Sequence, residues 1–208
     1  MKTRILLVRH GGTLFSAVDR FAGSSNVNLS DEGRDQAAKL GKRLAPTRID
    51  AAYCSPMQRA IDTAKLALGS RTLIAVERDG LREVDHGHWE GKVHDEVEKK
   101  FPDEYAAWTA DPFTMAPPGG ETGLQVLARA LPALRQIVID HPKQTVLVVC
   151  HKATNRILLC SLLGMDMRTY RHGIDQDLAC LNVLEFDGAW SGSVRLMNDI
   201  SHYQPAPT

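Results

Sequence analysis

The chain predicts an α/β fold: a three-layer α/β/α sandwich around a mainly parallel sheet. Three observations carry this. Short apolar runs alternate with amphipathic helical stretches along the 208 residues, which is the pattern of βαβ units. The two most apolar runs, 5–8 and 145–150, read as buried strands. Each of those runs is followed by a histidine, His10 or His151, and open α/β sheets hold ligands beyond the carboxyl ends of their strands.

The elements follow in order. After strand 5–8 come Arg9, His10 and two glycines that let the backbone approach a ligand. Ser30 is the N-cap of a helix over 31–44, stopped by Pro46. Residues 51–54 read as a short buried strand. Ser55 then caps a helix to about 68, with Pro56 in its first position. A third strand is expected at 72–76. Residues 81–121 are less regular, with short helices near 94–101 and 103–108, and read as a lid over one end of the sheet. Thr122 caps a long helix whose core stripe is read as Leu124, Leu127, Leu131, Leu134 and Val138, with a kink at Pro132. A helix over 154–163 follows His151. Two closing strands, 181–186 and 193–196, are expected to turn at Asp187-Gly188. The whole chain, 1–208, is read as one domain.

Composition narrows the function classes. Lys plus Arg and Asp plus Glu both number 25. With no Lys/Arg-rich tract, nucleic acid is not expected as a partner. No apolar run approaches the ~18 residues of a membrane span, and the chain enters its first strand too early for a signal peptide. The four cysteines, Cys54, Cys150, Cys160 and Cys180, lack metal or redox spacing. Three of them lie in apolar surroundings and fit buried free thiols, and a reducing cytoplasm is expected.

A single histidine after a strand is most often structural. Two at equivalent ends of the strongest strands, one preceded by Arg9, point instead to an anion site, since a guanidinium fork beside an imidazole suits phosphate. Arg59, in the first turn of the second helix, is alone no more than a surface arginine. The loop from Leu81 to Gly91 carries Glu83, Asp85, Glu90, His86 and His88, and a carboxylate there could serve as general acid.

Taken together, the blocks resemble the histidine phosphatase superfamily in its phosphoglycerate mutase-like branch. They are Val8-Arg9-His10-Gly11-Gly12-Thr13, Leu29 through Ala37, Ser55 through Ala60, Leu81-Arg82-Glu83 through Trp89-Glu90-Gly91, Gly119-Gly120-Glu121-Thr122, and Val148 through His151. They occur in family order. The resemblance implies that His10 is the phosphorylated nucleophile and that Arg9, Arg59 and a protonated His151 complete the phosphate pocket. It also implies that Glu83 is the proton donor, starting protonated, and that Thr13 lies near the phosphate. A phosphomonoester would be hydrolysed through a phosphohistidine without metal or other cofactor, the arginines supplying the charge.

The chain departs from the family pattern at several points. Ser16 stands where asparagine is usual, still able to donate to phosphate. Gly12 replaces Glu or Gln and is expected to loosen its loop. Lys152 replaces glycine, adding charge for a second anionic group. The Asp85-His86-Gly87 step and the terminal Ser201-His202-Tyr203 look like some metal-independent phosphoserine phosphatases, which places His86 and His202 against the organic part of the substrate. Two other functions fit the same residues. One is a phosphoglycerate mutase, disfavoured because fewer than 30 residues separate Gly91 from Gly119 and leave little to exclude water. The other is a phosphate-binding regulatory module without turnover. A homodimer paired through the closing strands is expected.

Overall fold

The computed structural model describes residues 2–16 and 20–204. One six-stranded sheet runs in the order β3-β2-β4-β1-β5-β6, built from β1 (Thr3–Arg9), β2 (Ala51–Cys54), β3 (Val76–Glu77), β4 (Thr145–Cys150), β5 (Leu181–Phe186) and β6 (Gly192–Asp199). Strands β1 to β4 are parallel, and β5 pairs antiparallel with both β1 and β6. Helices α1 (Asp31–Leu44), α2 (Gln58–Leu68), α3 (His94–Lys100), α4 (Pro102–Ala110), α5 (Gly123–Asp140), α6 (Lys152–Leu163) and α7 (Tyr170–Gly173) are joined by short 3-10 turns at Asp79–Leu81, Gly87–Trp89 and Met167–Thr169.

Strand alternation divides the core into two. Leu6, Val8, Ala52, Cys54, Leu147 and Val149 face α1 and α2. Ile5, Leu7, Tyr53, Val146, Val148 and Cys150 face α5 and α6. Both sheet faces are therefore covered, which is why the central strands read as unbroken apolar runs. A third cluster (Phe21, Trp89, Val97 and Trp108, with Phe101 and Tyr105 against it) holds the segment around α3 and α4. All four cysteines are buried and free.

Local signals behave as their chemistry predicts at two helix starts. The Ser30 side chain accepts from Gly33 N–H, and Thr122 and Gln125 form a reciprocal capping box. Elsewhere the structure corrects the expectation. Ser55 accepts from Met57 N–H at 3.3 Å, so Pro56 lies in a turn and α2 begins only at Gln58. The third strand is only Val76–Glu77, paired with Tyr53 and Cys54, instead of 72–76; Ile74 is 85% exposed. In α5 the buried stripe is Gly123, Val126, Ala130, Leu134, Ile137 and Val138, while Leu124 is exposed. That arc is rotated by about 60° from the leucine stripe. Apolar residues wrap more than one face of α5, and the arc with Gly123 and Ala130 allows the closest approach. Helix α5 runs through Pro132 as a single element. Helix α6 starts directly at Lys152, two residues earlier than the pattern suggests.

Candidate active site

The site stands at the carboxyl ends of β1 and β4, adjacent strands whose register puts Arg9 opposite Cys150. His10 N–H donates to Cys150 O at 3.0 Å, so the next residues, His10 and His151, come side by side with ring centroids 5.1 Å apart. His10 Nδ1 lies 2.7 Å from Gly11 O. A carbonyl can only accept, so Nδ1 carries the proton and Nε2 keeps a lone pair. Burial, then Arg59 and Arg9, holds the His10 imidazole well below its usual range. The ring is therefore neutral at pH 7.

The nucleophile loop is clamped by backbone contact with α1. A Cβ on Gly11 would meet Gly33 O at 2.4 Å, and one on Gly33 would meet Gly12 O at 2.0 Å. Gly12 N–H donates to Gln36 Oε1 at 3.0 Å, and Gly12 O accepts from Ser30 N–H and Oγ–H. The expected loosening at Gly12 is thus corrected: α1 supplies the partners a side chain at position 12 would otherwise bring.

Two arginines flank the histidines. Arg9 Nη1 donates to Gln176 O at 2.5 Å, and the Gln176 side chain belongs to a buried amide network with Asn155 and Asn182. Arg59 donates to the carbonyls of Ser25, Ala22 and Gly23 at 2.7, 2.9 and 2.9 Å. Among the described residues the Nε atoms of both arginines are buried without a hydrogen-bond partner, as are both ring nitrogens of His151. Arg9 and Arg59 line the cavity described below, whereas His151 is fully buried and is not part of its wall.

His151 is fully buried. Burial, reinforced by Arg59, His10, Arg129 and Arg9, holds its imidazole well below the usual range. In the substrate-free pocket this favours the neutral ring, because an imidazolium there would lose its hydration beside two guanidinium groups.

Glu83 is held on the N-terminus of α6. Oε1 accepts from Val84 N–H, Thr154 N–H and Thr154 Oγ at 3.0, 3.1 and 3.1 Å, and Oε2 from Ala153 N–H at 3.0 Å. Among the described residues Oε2 has one donor, against three on Oε1.

A cavity of about 500 Å³ opens here. Arg9, His10, Thr13, Ser16, Arg59, Glu83, His86 and Lys152 all line it. Thr13 and Ser16 bond to each other through their hydroxyls at 2.9 Å. His86 packs edge-on to Phe21, with centroids 4.8 Å apart, and burial above all lowers its pKa. His202 is not brought to the cavity wall. Its Nδ1 sits 3.5 Å from Arg43 Nη1, and burial and Arg43 hold its pKa down to about 4. The Arg43–Asp199 ion pair draws the tail across α1, and it is the neighbour Tyr203 that enters the lining, its hydroxyl donating to Leu178 O at 2.6 Å.

Sequence reasoning missed Glu90. Its carboxylate accepts from the N–H groups of Gly23, Ser24, Ser25 and His86 and from Ser25 Oγ, at 2.6 to 3.2 Å. Loop 22–25 is therefore held between Glu90 on its amides and Arg59 on its carbonyls. A Cβ on Gly23 would meet Val84 O at 1.8 Å, so the loop lies flat on the Glu83 segment. The signal was Gly23-Ser24-Ser25, small residues whose amides a carboxylate can reach, but its partner is over 60 residues away in sequence.

Comparison with known proteins agrees with this geometry. The family model described as "Histidine phosphatase superfamily (branch 1)" matches residues 5–200. Phosphoserine phosphatase 1 of Hydrogenobacter thermophilus is 32% identical over 167 residues, 80% of this chain and 79% of that protein. Glucosyl-3-phosphoglycerate phosphatase of Mycolicibacterium vanbaalenii is 35% identical over 172 residues, 79% of this chain and 76% of that one. A bifunctional protein of Mycobacterium tuberculosis is 36% identical over 96% of this chain, which spans only 55% of that protein's length. Among solved structures, Bacillus stearothermophilus YhfR superimposes with a TM-score of 0.92 at 32% identity, covering 97% of this chain and 100% of that one.

Proposed function

The chain belongs to branch 1 of the histidine phosphatase superfamily and is a phosphoric monoester hydrolase, and we propose that it works through a phosphohistidine on His10. The observation that supports this most is the His10 ring: buried, neutral, with Nδ1–H tied to Gly11 O and Nε2 left to attack. In this reading the phosphate dianion takes the free Nε–H groups of Arg9 and Arg59 by charge-assisted hydrogen bonds. Its arrival reverses the local field, so His151 gains a proton with the substrate and donates to a third oxygen. The bond from His10 Nε2 to phosphorus forms as the ester P–O bond breaks, in line. The leaving oxygen takes the proton from Glu83 Oε2, and the resulting carboxylate then deprotonates the water that releases phosphate. Segment 81–121, carrying His86, His94 and Trp108 to the cavity, acts as the lid of a small-metabolite site. The phosphoserine and glucosyl-3-phosphoglycerate of the relatives' names are both small phosphorylated carboxylic acids and fit this size. A homodimer through the outer strand β6 and a reducing cytoplasm belong to the same reading; the free cysteines support the latter.

The test is phosphate release from a panel of phosphomonoesters with chelator present, together with rapid quenching of a labelled substrate. Expected are turnover, an acid-labile, alkali-stable phosphoenzyme, and loss of both in His10→Ala. Conversion of 3- to 2-phosphoglycerate without phosphate release would turn the assignment toward a mutase. Full activity in His10→Ala would overturn it.

A further inference from the structure

One block prominent in the sequence, Gly119-Gly120-Glu121-Thr122, has no place on the cavity wall. Neither Glu121 nor its partner Arg129 lines the cavity. Glu121 stands just before the N-cap of α5, and Arg129 lies about two turns along that helix. The two meet as a planar fork on a carboxylate. Arg129 Nε donates to Glu121 Oε1 at 2.9 Å, and Nη2 donates to Oε2 at 2.7 Å. Burial pushes the Glu121 carboxyl up, but the hydrogen bond and charge of Arg129 outweigh it and hold the group below its usual range. The pair is therefore ionic at pH 7.

The remaining donors of Arg129 go to main chain. Nη1 donates to Gly80 O at 3.1 Å and to Arg82 O at 2.7 Å, and Nη2 to Glu83 O at 2.9 Å. All five N–H groups of the guanidinium are used in this way, and three of the five hold the backbone that carries Glu83. Glu121 adds two bonds on the other side. Its Oε2 accepts from Asp85 N–H at 3.1 Å, and its own N–H donates to Asp85 O at 2.8 Å. The backbone contacts leave no slack: a Cβ on Gly80 would meet Arg129 O at 2.7 Å, and one on Gly120 would meet Asp85 O at 2.5 Å.

Glu83 is thus strung between two helices. Its carbonyl is held from α5 by Arg129, and its carboxylate from α6 by the N–H groups of Ala153 and Thr154. Arg82 O is shared between the same two helices, accepting from Arg129 Nη1 and Thr154 Oγ, each at 2.7 Å. Water could satisfy the carbonyls of a surface loop, but it would not fix their places relative to one another. A rigid fork does so.

We propose that Glu121 and Arg129 are positioning residues for proton donation: they hold segment 80–85 so that the Glu83 carboxyl meets the leaving oxygen of the ester. The proposal rests on the phosphatase reading with Glu83 as acid. The distinguishing readout is the leaving group. kcat/KM covers the steps through its departure, so it reads proton donation rather than the later hydrolysis of the phosphoenzyme.

Arg129→Gln and Glu121→Gln are each to be measured on phosphoserine and glycerol 3-phosphate, both alkyl esters, and on p-nitrophenyl phosphate. On the alkyl esters kcat/KM is expected to fall by about 10- to 100-fold, the cost of a small displacement of a reacting group. On p-nitrophenyl phosphate it is expected to fall by less than about threefold. Arg129→Lys keeps the charge without the fork and is expected to rescue little. In a Glu83→Gln background the same substitutions should add less than about twofold on the alkyl esters, because the group they position is gone. Should Arg129→Gln fold poorly, Glu121→Gln carries the same comparison. Equal losses on alkyl and p-nitrophenyl esters, losses that multiply with that of Glu83→Gln, or wild-type constants in the variants would overturn the positioning role. His10-dependent hydrolysis of p-nitrophenyl phosphate would then still leave the phosphatase reading intact. Failure of the wild-type protein to hydrolyse any of these esters would instead remove that reading.

Discussion

The two ends of the cavity are built differently. The end proposed to hold phosphate rests on the sheet. His10 and His151 leave adjacent strands in register, and each arginine or carboxylate beside them is held by backbone: Arg9 by Gln176 O, Arg59 by the loop 22–25 carbonyls, Glu83 by the N–H groups of α6. The organic end is assembled from single side chains of α3, α4, α6, α7 and the tail, seated on one another through ring and cation contacts such as Arg171 on Trp108. The first arrangement preserves chemistry, because strand ends cannot shift without breaking the core. The second leaves specificity to residues that can change one at a time.

If that contrast holds, damage at the phosphate end abolishes turnover for every substrate. His10→Ala is expected to cost about 10⁴-fold or more in kcat, equally across the panel; steady-state phosphate release measures it. Glu83→Gln is expected to cost about 10²- to 10⁴-fold on alkyl phosphates and much less on p-nitrophenyl phosphate, whose leaving group needs no proton. Equal losses on both would remove Glu83 as the acid. Arg59→Ala should lower kcat/KM by about 10²- to 10³-fold and free loop 22–25, visible as faster amide exchange at Gly23–Ser25.

Glu90→Gln offers the sharper case, since Glu90 is not on the cavity wall. It should lower activity by only about tenfold, because an amide keeps one of the two acceptor oxygens, and it should loosen the same loop. Normal exchange with reduced activity would break the link drawn through Arg59. The smallest effect concerns pH. His10 and His151 are held neutral, with folded-state pKa values well below the unfolded value near 6.5. Unfolded chains therefore bind more protons below that value, and stability present above it is lost as the pH falls. Thermal unfolding is expected to shift to lower temperature between pH 7.5 and pH 5.5. Added phosphate should reduce the shift, because it stabilises the protonated His151.

This contrast also explains what the sequence made legible. Arg9, His10 and His151 could be read because they end apolar runs whose strand character is written locally. Arg59 could not be read alone, since its partners Ala22, Gly23 and Ser25 lie on the far side of α1 and β2 in sequence. The stripe of α5 was read only in part: Leu134 and Val138 are buried and Leu127 and Leu131 pack against the core, but Leu124 is exposed, because apolar residues cover more than one face and only the neighbours choose among them. His202 was misread by a single position. The tail is steered by Arg43 and Asp199, so Tyr203 rather than His202 reaches the cavity. Glu90 sat in a block quoted for its family resemblance, but its work is done on amides, which leave no mark in side-chain pattern.

The contact between Gly11 and Gly33 carries a consequence for how such a protein can diverge. The two positions lie 22 residues apart, and a Cβ on either would strike backbone, Gly33 O from Gly11 and Gly12 O from Gly33, so neither can acquire even a methyl group whatever stands at the other. A drifting lineage can exchange the residues at the cavity mouth freely and singly, acquiring new substrates as it goes. At this point it has no single viable step. The pair acts as a ratchet on the architecture, keeping the crossover from strand to helix fixed while everything the cavity recognises is renegotiated around it.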